Sequence, residues 1–476
     1  MIDVRGMRRL TWTGIRRAIA VVLVLLGTAA ASGSAVLGIR HGQELRGAGA
    51  VDSPAIPDTA YAGELPRVGR FETDVTYSCY GVAGNGEVSS HMLWDDAWFD
   101  GDPRVYNHDL ARASSVLAAL AYAESGFYQS GSKTPPYMEN VLHQLGFDMV
   151  ETGSYRFRSE VVDEVLDVMT QQSDGVAYGL ARKELMPAPD GTPRELIAVS
   201  VRGSYGSEWL SNFNLGAGEA AAAAEALADE RSHDHTGYQV AALEILGELD
   251  AWVDEADARG AEVSVLLTGH SRGGAVAGLL AAMLDDRAAA GTGEDARTEA
   301  DAAAQAPMQR APRVFAYTFA SPRTTLNARG NDARYGNIFN IVNPADLVTN
   351  LPLESWGYVR YGVDAPLPSL DDEGFGERFA AMQDAFEHLT GGRDSYDPEA
   401  EAAIDGVVAE LARTVPTAGA LMTPRGVASV AAACALRINP TRILRGHYPS
   451  VYIAWMESLP GLAVDRGGPP AGRQAV

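Results

Sequence analysis

The sequence predicts an α/β fold with a mostly parallel central sheet and helices on both of its faces. Between residues 196 and 342, short β-branched and apolar runs typical of buried strands alternate with longer segments whose apolar residues recur at helical spacing. Strands that alternate with helices along a chain form parallel sheets covered on both faces. The length of 476 residues accommodates one large domain or two modest ones.

The second observation is a sharp strand-to-helix turn in residues 262–280. A Val- and Leu-rich run stops at residues 269–274 (GHSRGG), and small and apolar residues spaced for a helix follow. A G-x-S-x-G motif in this context indicates a nucleophile elbow, in which glycines permit close approach of neighbouring backbones and Ser271 is exposed at the tip. Because the chain contains 50 glycines, the motif alone is weak, and its strand and helix context carries the prediction.

The other elements follow from hydrophobic periodicity and turn residues. A hairpin is predicted over residues 71–99, and an antiparallel strand pair over 175–185 and 195–201. Central strands are predicted over 313–320 and 337–342. Helical spacing predicts helices over residues 108–124, 137–145, 159–169 and 238–253. The Ala-rich acidic residues 216–231 are typical of either a surface helix or a mobile flap.

Residues 1–42 predict an export signal. Five arginines in the first 17 residues precede an uncharged apolar run over residues 18–39. Small residues at 29–35 fit a cleavage site, yet the run is also long enough to remain as a single membrane anchor, and the sequence leaves both readings open. The positive flank predicts that the remaining chain lies outside the cytoplasm, either extracellular or at the cell surface.

Composition shifts predict the domain organisation. We expect a linker over residues 43–65, one catalytic domain over 66–464 and a disordered tail over 465–476. Within the domain, residues 288–312 are predicted to be a low-complexity insertion. Residues 371–439 are predicted to form a helical insertion that could act as a cap.

Charge and ligand residues exclude several function classes. The formal net charge of −24 argues against nucleic acid and anionic membrane surfaces as electrostatic partners. The two cysteines, Cys79 and Cys434, define no disulfide framework, and both a single bridge and two buried thiols remain open. His233, Asp234 and His235 are the only cluster typical of metal ligands, and since no other ligands accompany them we predict no metal site.

A nucleophilic serine requires a base and a carboxylate that orients it, and after an elbow these follow in the order acid, then histidine. Asp346 follows the strand predicted over 337–342 and is the preferred acid. Asp364, after a strand predicted over 357–363, is the alternative.

Two histidines lie beyond Asp346 and compete for the role of base. His388 lies in a charged helical stretch beside Glu387, which indicates a solvated surface. His447 follows a glycine in a short loop near the end of the domain and is therefore preferred. Donors to the oxyanion are expected from the backbone N–H of Arg272, which follows the nucleophile, and from the strand end at Ser204.

Five motifs in this order together resemble the class 3 lipases, the fungal-lipase-like α/β-hydrolases, in a secreted bacterial form. The motifs are RGS at 202–204 followed by Trp209, HTGY at 235–238, GHSRGG at 269–274, TFASPR at 318–323 and NPADLV at 343–348.

The resemblance implies an α/β-hydrolase fold with a helical insertion before the catalytic histidine. It implies Ser271 as nucleophile, Asp346 as acid, His447 as base, and Ser204 with Arg272 as oxyanion hole. It also implies hydrolysis of triacylglycerol or a related carboxylic ester without a cofactor. A phospholipase or polysaccharide deacylase on the same triad is the alternative among enzymes. A catalytically inactive cell-surface binding protein on a hydrolase fold is the alternative of another class.

Overall fold

A computed structural model describes residues 67–79, 86–129, 134–156, 176–203, 236–291, 311–417, 420 and 445–464. The predicted export segment, linker and C-terminal tail lie outside these ranges. So do the helix predicted over 159–169, residues 216–231 and Ser204. Within the described ranges, no helix combines the length and the apolar character needed to cross a membrane.

The described strands form one hairpin and one seven-stranded sheet. The hairpin consists of β1 (Arg70–Ser78) and β2 (Glu87–Asp95). The sheet contains, in spatial order, β3 (Met149–Glu151), β4 (Tyr178–Leu185), β5 (Arg194–Val201), β6 (Glu262–His270), β7 (Arg313–Phe319), β8 (Ile338–Val342) and β9 (Val363–Pro366). Pairing is antiparallel from β3 to β5 and parallel from β5 to β9, which confirms the predicted mostly parallel sheet.

The described helices pack on both faces of this sheet. They are α1 (His108–Gln129), α2 (Tyr137–Gln144), α3 (Thr236–Ala258), α4 (Arg272–Gly291), α5 (Phe375–Thr390), α6 (Ala400–Thr414) and α7 (Pro449–Ser458). Side chains of β6 alternate between two cores: Val265 and Leu267 pack with α3 and α4, whereas Leu266 packs with α1 and α7. Burial of both faces explains why the central strands are nearly continuous apolar runs.

The hairpin packs on the α1 side of the sheet through a buried ion pair. Lys183 of β4 places its Nζ 2.8 Å from Asp96 Oδ1, just after β2, and donates to the carbonyl of Leu145 at 2.9 Å. Burial lowers the pKa of Lys183, although its contact with Asp96 opposes that effect. Cys79, at the end of β1, is buried, and burial raises the pKa of its thiol to about 12; Cys434 lies outside the described residues.

Both predicted insertions contain described helical residues. The helix after the elbow continues to Gly291, four residues into the range predicted to be low-complexity, and residues 292–310 lie outside the description. In the second insertion, α5 packs against α7 and α6 buries Ile404 and Val407 against residues 347–356. In the described part of this insertion, α6 therefore packs on the segment that follows Asp346.

Candidate active site

Ser271 lies at the tip of a strained turn between β6 and α4. Its φ of 59° is in the left-handed region, and its backbone N–H donates to the carbonyl of Phe319 at 2.8 Å. A Cβ at Gly269 would lie 2.3 Å from the carbonyl oxygen of Gly273, and one at Gly273 would lie 2.1 Å from that of Val201. Only glycine fits at these two positions, so the turn has the strand-to-helix arrangement that the motif predicts.

The prediction of an exposed serine is wrong. Ser271 retains only 5 % exposure. The end of β7 backs the turn through the Phe319 contact, and the ring of neighbouring His270 lies 4.7 Å from that of His447. The elbow therefore sits beneath neighbouring segments, a consequence of tertiary packing that a local motif does not report.

Asp346 and His447 come together although 101 residues separate them. His447 Nδ1 lies 2.7 Å from Asp346 Oδ2, and both side chains are buried. The backbone N–H of Val348 donates to the other carboxylate oxygen at 2.9 Å. A Cβ at Gly446 would lie 2.4 Å from the carbonyl oxygen of Ala345, so the glycine before His447 lets the two loops meet.

This contact determines which nitrogen of His447 is available for chemistry. A carboxylate only accepts hydrogen bonds, so Nδ1 carries the proton that it donates to Asp346. In the neutral ring, Nε2 then holds the lone pair. That is the tautomer a general base for a serine hydroxyl requires.

Tyr452 is a further partner of Asp346, and the sequence indicated only that it lies near His447. Its hydroxyl donates to Asp346 Oδ2 at 2.8 Å and accepts the backbone N–H of Asn343 at 3.1 Å. Burial and the neighbouring Asp346 charge raise the pKa of Tyr452 well above its ordinary value, so the hydroxyl remains a donor. The carboxylate of Asp346 therefore accepts three hydrogen bonds in the absence of solvent contact.

The alternative candidates for acid and base, Asp364 and His388, have other surroundings. The residue range of the strand predicted over 357–363 is wrong. The observed strand, β9, spans Val363–Pro366 and contains Asp364. Asp364 pairs with Arg360, at 3.0 Å to Nε and 2.5 Å to Nη2, and it is Asp346 that contacts His447. His388 is exposed on α5. Its exposure matches the solvated surface that the sequence indicates.

Of the two predicted oxyanion donors, the structure describes Arg272. Arg272 is the first residue of α4, so its backbone N–H lies in the first turn, where backbone donors point out of the helix N-terminus. The second predicted donor, Ser204, follows β5, which ends at Val201. Next along the chain, Arg202 donates from Nη1 to Ser125 Oγ at 2.8 Å. Ser204 lies outside the described residues.

A buried carboxyl on α1 lies one residue before Ser125, the partner of Arg202. Glu124 is fully buried, and the backbone N–H of Met138 donates to its Oε2 at 2.8 Å. Burial raises the pKa of Glu124 from 4.5 to about 8, although the hydrogen bond from Met138 opposes that effect. No sequence signal pointed to this group, because it lies in a helix whose pattern predicts only scaffold.

Metal binding receives no support from the described part of the chain. There, no group of three or more His, Cys, Asp or Glu side chains is arranged to hold a metal ion. His233, Asp234 and His235 lie outside the description.

The fold is of the α/β-hydrolase type: a mostly parallel sheet flanked by helices, with a serine at a strand-to-helix elbow. Residues 198–356, about a third of the chain, match the family model of the class 3 lipases. That match contains the second half of β5, the elbow and Asp346, and ends before His447. No curated protein matches the sequence.

Several solved structures of lipases are similar to this chain. The propeptide complex of the Rhizomucor miehei lipase is 17 % identical over 55 % of this chain and 70 % of that chain, with a TM-score of 0.33. A triacylglycerol lipase with a serine protease triad is 18 % identical over 56 % and 82 %, with a TM-score of 0.33. The lipase from Rhizopus microsporus var. chinensis is 17 % identical over 55 % and 74 %, with a TM-score of 0.30.

Proposed function

We propose that this protein is a serine hydrolase that cleaves carboxylic esters of lipids through an acyl-enzyme on Ser271. The observation that carries the proposal is the buried Asp346–His447 pair, at 2.7 Å, in contact with His270, the residue that precedes Ser271 on a strained elbow. A serine hydroxyl is a weak nucleophile without such a base, and the base needs a carboxylate to hold its tautomer.

The proposed reaction has two halves. In the first, His447 Nε2 takes the proton of the Ser271 hydroxyl while Oγ attacks the ester carbonyl carbon. The tetrahedral intermediate collapses, the bond to the leaving alcohol breaks, and His447 returns the proton to that alcohol. In the second half, His447 takes a proton from water, hydroxide attacks the acyl-enzyme, and Ser271 recovers its proton as the acid leaves.

Negative charge on the tetrahedral oxygen requires fixed donors. We assign this role to the backbone N–H of Arg272, at the N-terminus of α4, and to Ser204 on the basis of the RGS motif. The helix N-terminus adds a favourable electrostatic contribution at the same place. Loss of one such donor typically costs about 2.7–4 kcal/mol of transition-state stabilisation.

The substrate class and location rest on sequence. Similarity of residues 198–356 to class 3 lipases supports a lipid ester, triacylglycerol included, as substrate. The arginine-rich N-terminus and the apolar run that follows support export, with residues 1–42 acting as a signal peptide or a single anchor. The protein would then act outside the cytoplasm.

Fluorophosphonate labelling tests the proposed nucleophile and base together. We expect stoichiometric label on Ser271 of the purified protein, located by peptide mapping, and loss of label in Ser271→Ala and His447→Ala. The matched control is His388→Ala, which removes the exposed alternative base and should label like the wild type. Label in Ser271→Ala, or loss of label in His388→Ala alone, would contradict the assignment.

Substrate profiling separates the remaining functions. The unlabelled wild-type enzyme should release fatty acid from triacylglycerol emulsions and from nitrophenyl esters, and Ser271→Ala should not. Preference for phospholipid vesicles or acetylated polysaccharide over both would favour the alternative enzymes. A folded protein that neither labels, even with detergent present, nor hydrolyses any of these substrates would favour a binding protein.

A further inference from the structure

A chain of hydrogen bonds joins α1 to the backbone of the proposed base. The hydroxyl of Tyr122 lies 3.0 Å from His270 Nδ1, and His270 Nε2 lies 2.7 Å from the carbonyl oxygen of His447. The Tyr122 hydroxyl is also 3.3 Å from the carbonyl of His270 itself. All three side chains are buried. The residue before the proposed nucleophile therefore bonds the main chain of the proposed base.

The direction of each bond follows from its acceptor. A carbonyl oxygen cannot donate, so His270 Nε2 carries the hydrogen of the bond to His447. Nδ1 of the neutral ring is then an acceptor, and the Tyr122 hydroxyl shares its one hydrogen between this nitrogen, at 3.0 Å, and the carbonyl oxygen of His270, at 3.3 Å. Burial and the nearby His447 both lower the pKa of His270, which agrees with a neutral ring. The bond to the His447 carbonyl thus places the hydrogen of the neutral His270 ring on Nε2.

Tyr122 also touches the strand that leads to Ser204. A Cβ at Gly203 would lie 2.1 Å from the Tyr122 hydroxyl and 2.4 Å from the carbonyl oxygen of His270. The hydroxyl therefore fills space that any larger residue at position 203 would occupy. Tyr122 lies on α1, outside the residues that match the lipase family model.

We infer that Tyr122 and His270 are positioning residues that hold the segment after β5 at Gly203, the nucleophile elbow and the His447 loop in one arrangement. The inference rests on the proposed function, since it concerns the placement of that same site. Neither side chain contacts the ester or exchanges a proton in the reaction. Their effect is on the distance and angle between Ser271 and His447, and misplacement by about 1 Å can cost roughly a hundredfold in rate.

The first test compares two tyrosines on the same helix. Tyr122→Phe removes the hydroxyl and keeps the ring, and Tyr128→Phe is the control because its hydroxyl bonds Thr152 Oγ1 at 2.8 Å. We expect Tyr122→Phe to lower kcat for a nitrophenyl ester by about tenfold or more with KM within twofold. Tyr128→Phe should keep kcat within twofold even if its melting temperature falls equally. Equal kcat in the two variants would overturn the inference.

Substitution of His270 gives a rescue test. Gln supplies an amide N–H that can donate to the carbonyl of His447, whereas Leu supplies none. We expect His270→Gln to retain more of kcat and of the fluorophosphonate labelling rate than His270→Leu, in proteins whose folding is verified by circular dichroism. Equal loss in both variants would mean that the donor has no positioning role.

The tautomer of His270 is measurable without any activity. In long-range ¹H–¹⁵N spectra of histidine-labelled protein, the His270 signals are those that disappear in His270→Gln. We expect the neutral form protonated at Nε2 from pH 6 to 8, and a shifted Nδ1 resonance in Tyr122→Phe. A Nδ1-protonated or cationic ring would overturn the inference. A wild type that shows this tautomer but neither labels nor hydrolyses would instead count against the proposed function.

Discussion

Replacement of the buried carboxyl Glu124 by glutamine should alter how the stability of this protein depends on pH. Glu124 has no exposed surface, and burial raises its pKa from 4.5 to about 8. The folded protein therefore keeps this proton in a pH range in which the unfolded chain has lost it. Gln is neutral and similar in shape, and its oxygen can accept the N–H of Met138 that Glu124 Oε2 accepts at 2.8 Å.

The sign and size follow from proton linkage. Between pH 4.5 and 8 the folded state binds more protons than the unfolded state, so the free energy of unfolding falls as pH rises. Each pH unit of difference is worth about 1.4 kcal/mol, and the interval from 4.5 to about 8 therefore corresponds to about 5 kcal/mol. Glu124→Gln should match the wild type near pH 4.5 and exceed it by up to about 5 kcal/mol above pH 8.

Urea unfolding at a series of pH values from 5 to 8.5 measures this difference. The control is Glu377→Gln, which alters an exposed carboxylate on α5 and should change stability by about 0.5 kcal/mol or less at every pH. The gap between Glu124→Gln and the wild type should widen steadily with pH. Parallel curves would refute the reasoning, because they would mean that Glu124 titrates normally in the folded protein.

Three further predictions concern the acid and the elbow. Tyr452→Phe removes a donor to a buried carboxylate and should lower the free energy of unfolding by about 2–3 kcal/mol, with a fall in kcat; unchanged urea midpoint and kcat would contradict it. Asp346→Asn should reduce ester hydrolysis by about 10⁴-fold. Asp364→Asn should keep Ser271 labelling and cost only about 1–2 kcal/mol of stability, since the Asp364 side chain is 40 % exposed. A larger loss of hydrolysis in Asp364→Asn than in Asp346→Asn would make Asp364 the acid. Gly273→Ala places a methyl group 2.1 Å from a backbone oxygen and should lower the free energy of unfolding in urea by at least about 1–3 kcal/mol. The control, Gly247→Ala, lies in α3 with open space around it and should stabilise the protein by up to about 1 kcal/mol. Equal urea midpoints of the two variants would show that the elbow tolerates a side chain.

The elements that the sequence predicted best are those with local causes. The elbow requires a strand, two glycines and a helix within about 20 residues, and all three are recognisable from neighbours in sequence. The parallel strands were recognisable because burial of both faces makes them continuous apolar runs. Asp346 could be selected because it directly follows such a strand. The strand near Asp364 was misplaced, since Gly, Tyr and Arg residues around it carry little periodicity.

His447 shows where local reasoning ends. The sequence favoured it over His388 because it follows a glycine in a loop, and the 2.7 Å contact to Asp346 depends on how the intervening residues, α5 and α6 among them, pack. Tyr122 had no signal at all, because its partner His270 lies 148 residues away and a tyrosine on a helix reads as ordinary core.

The sequence by itself determined the class of fold, the strand-to-helix elbow with Ser271 and the position of Asp346, because periodicity, glycine requirements and strand ends depend on neighbouring residues. Only the tertiary structure decided that Ser271 is buried, that Asp346 and His447 are paired, that Tyr452 bonds Asp346 and Tyr122 bonds His270, and that Glu124 is buried. Those facts depend on contacts between residues far apart in the chain. Such contacts form only when the helices pack on the two faces of the sheet.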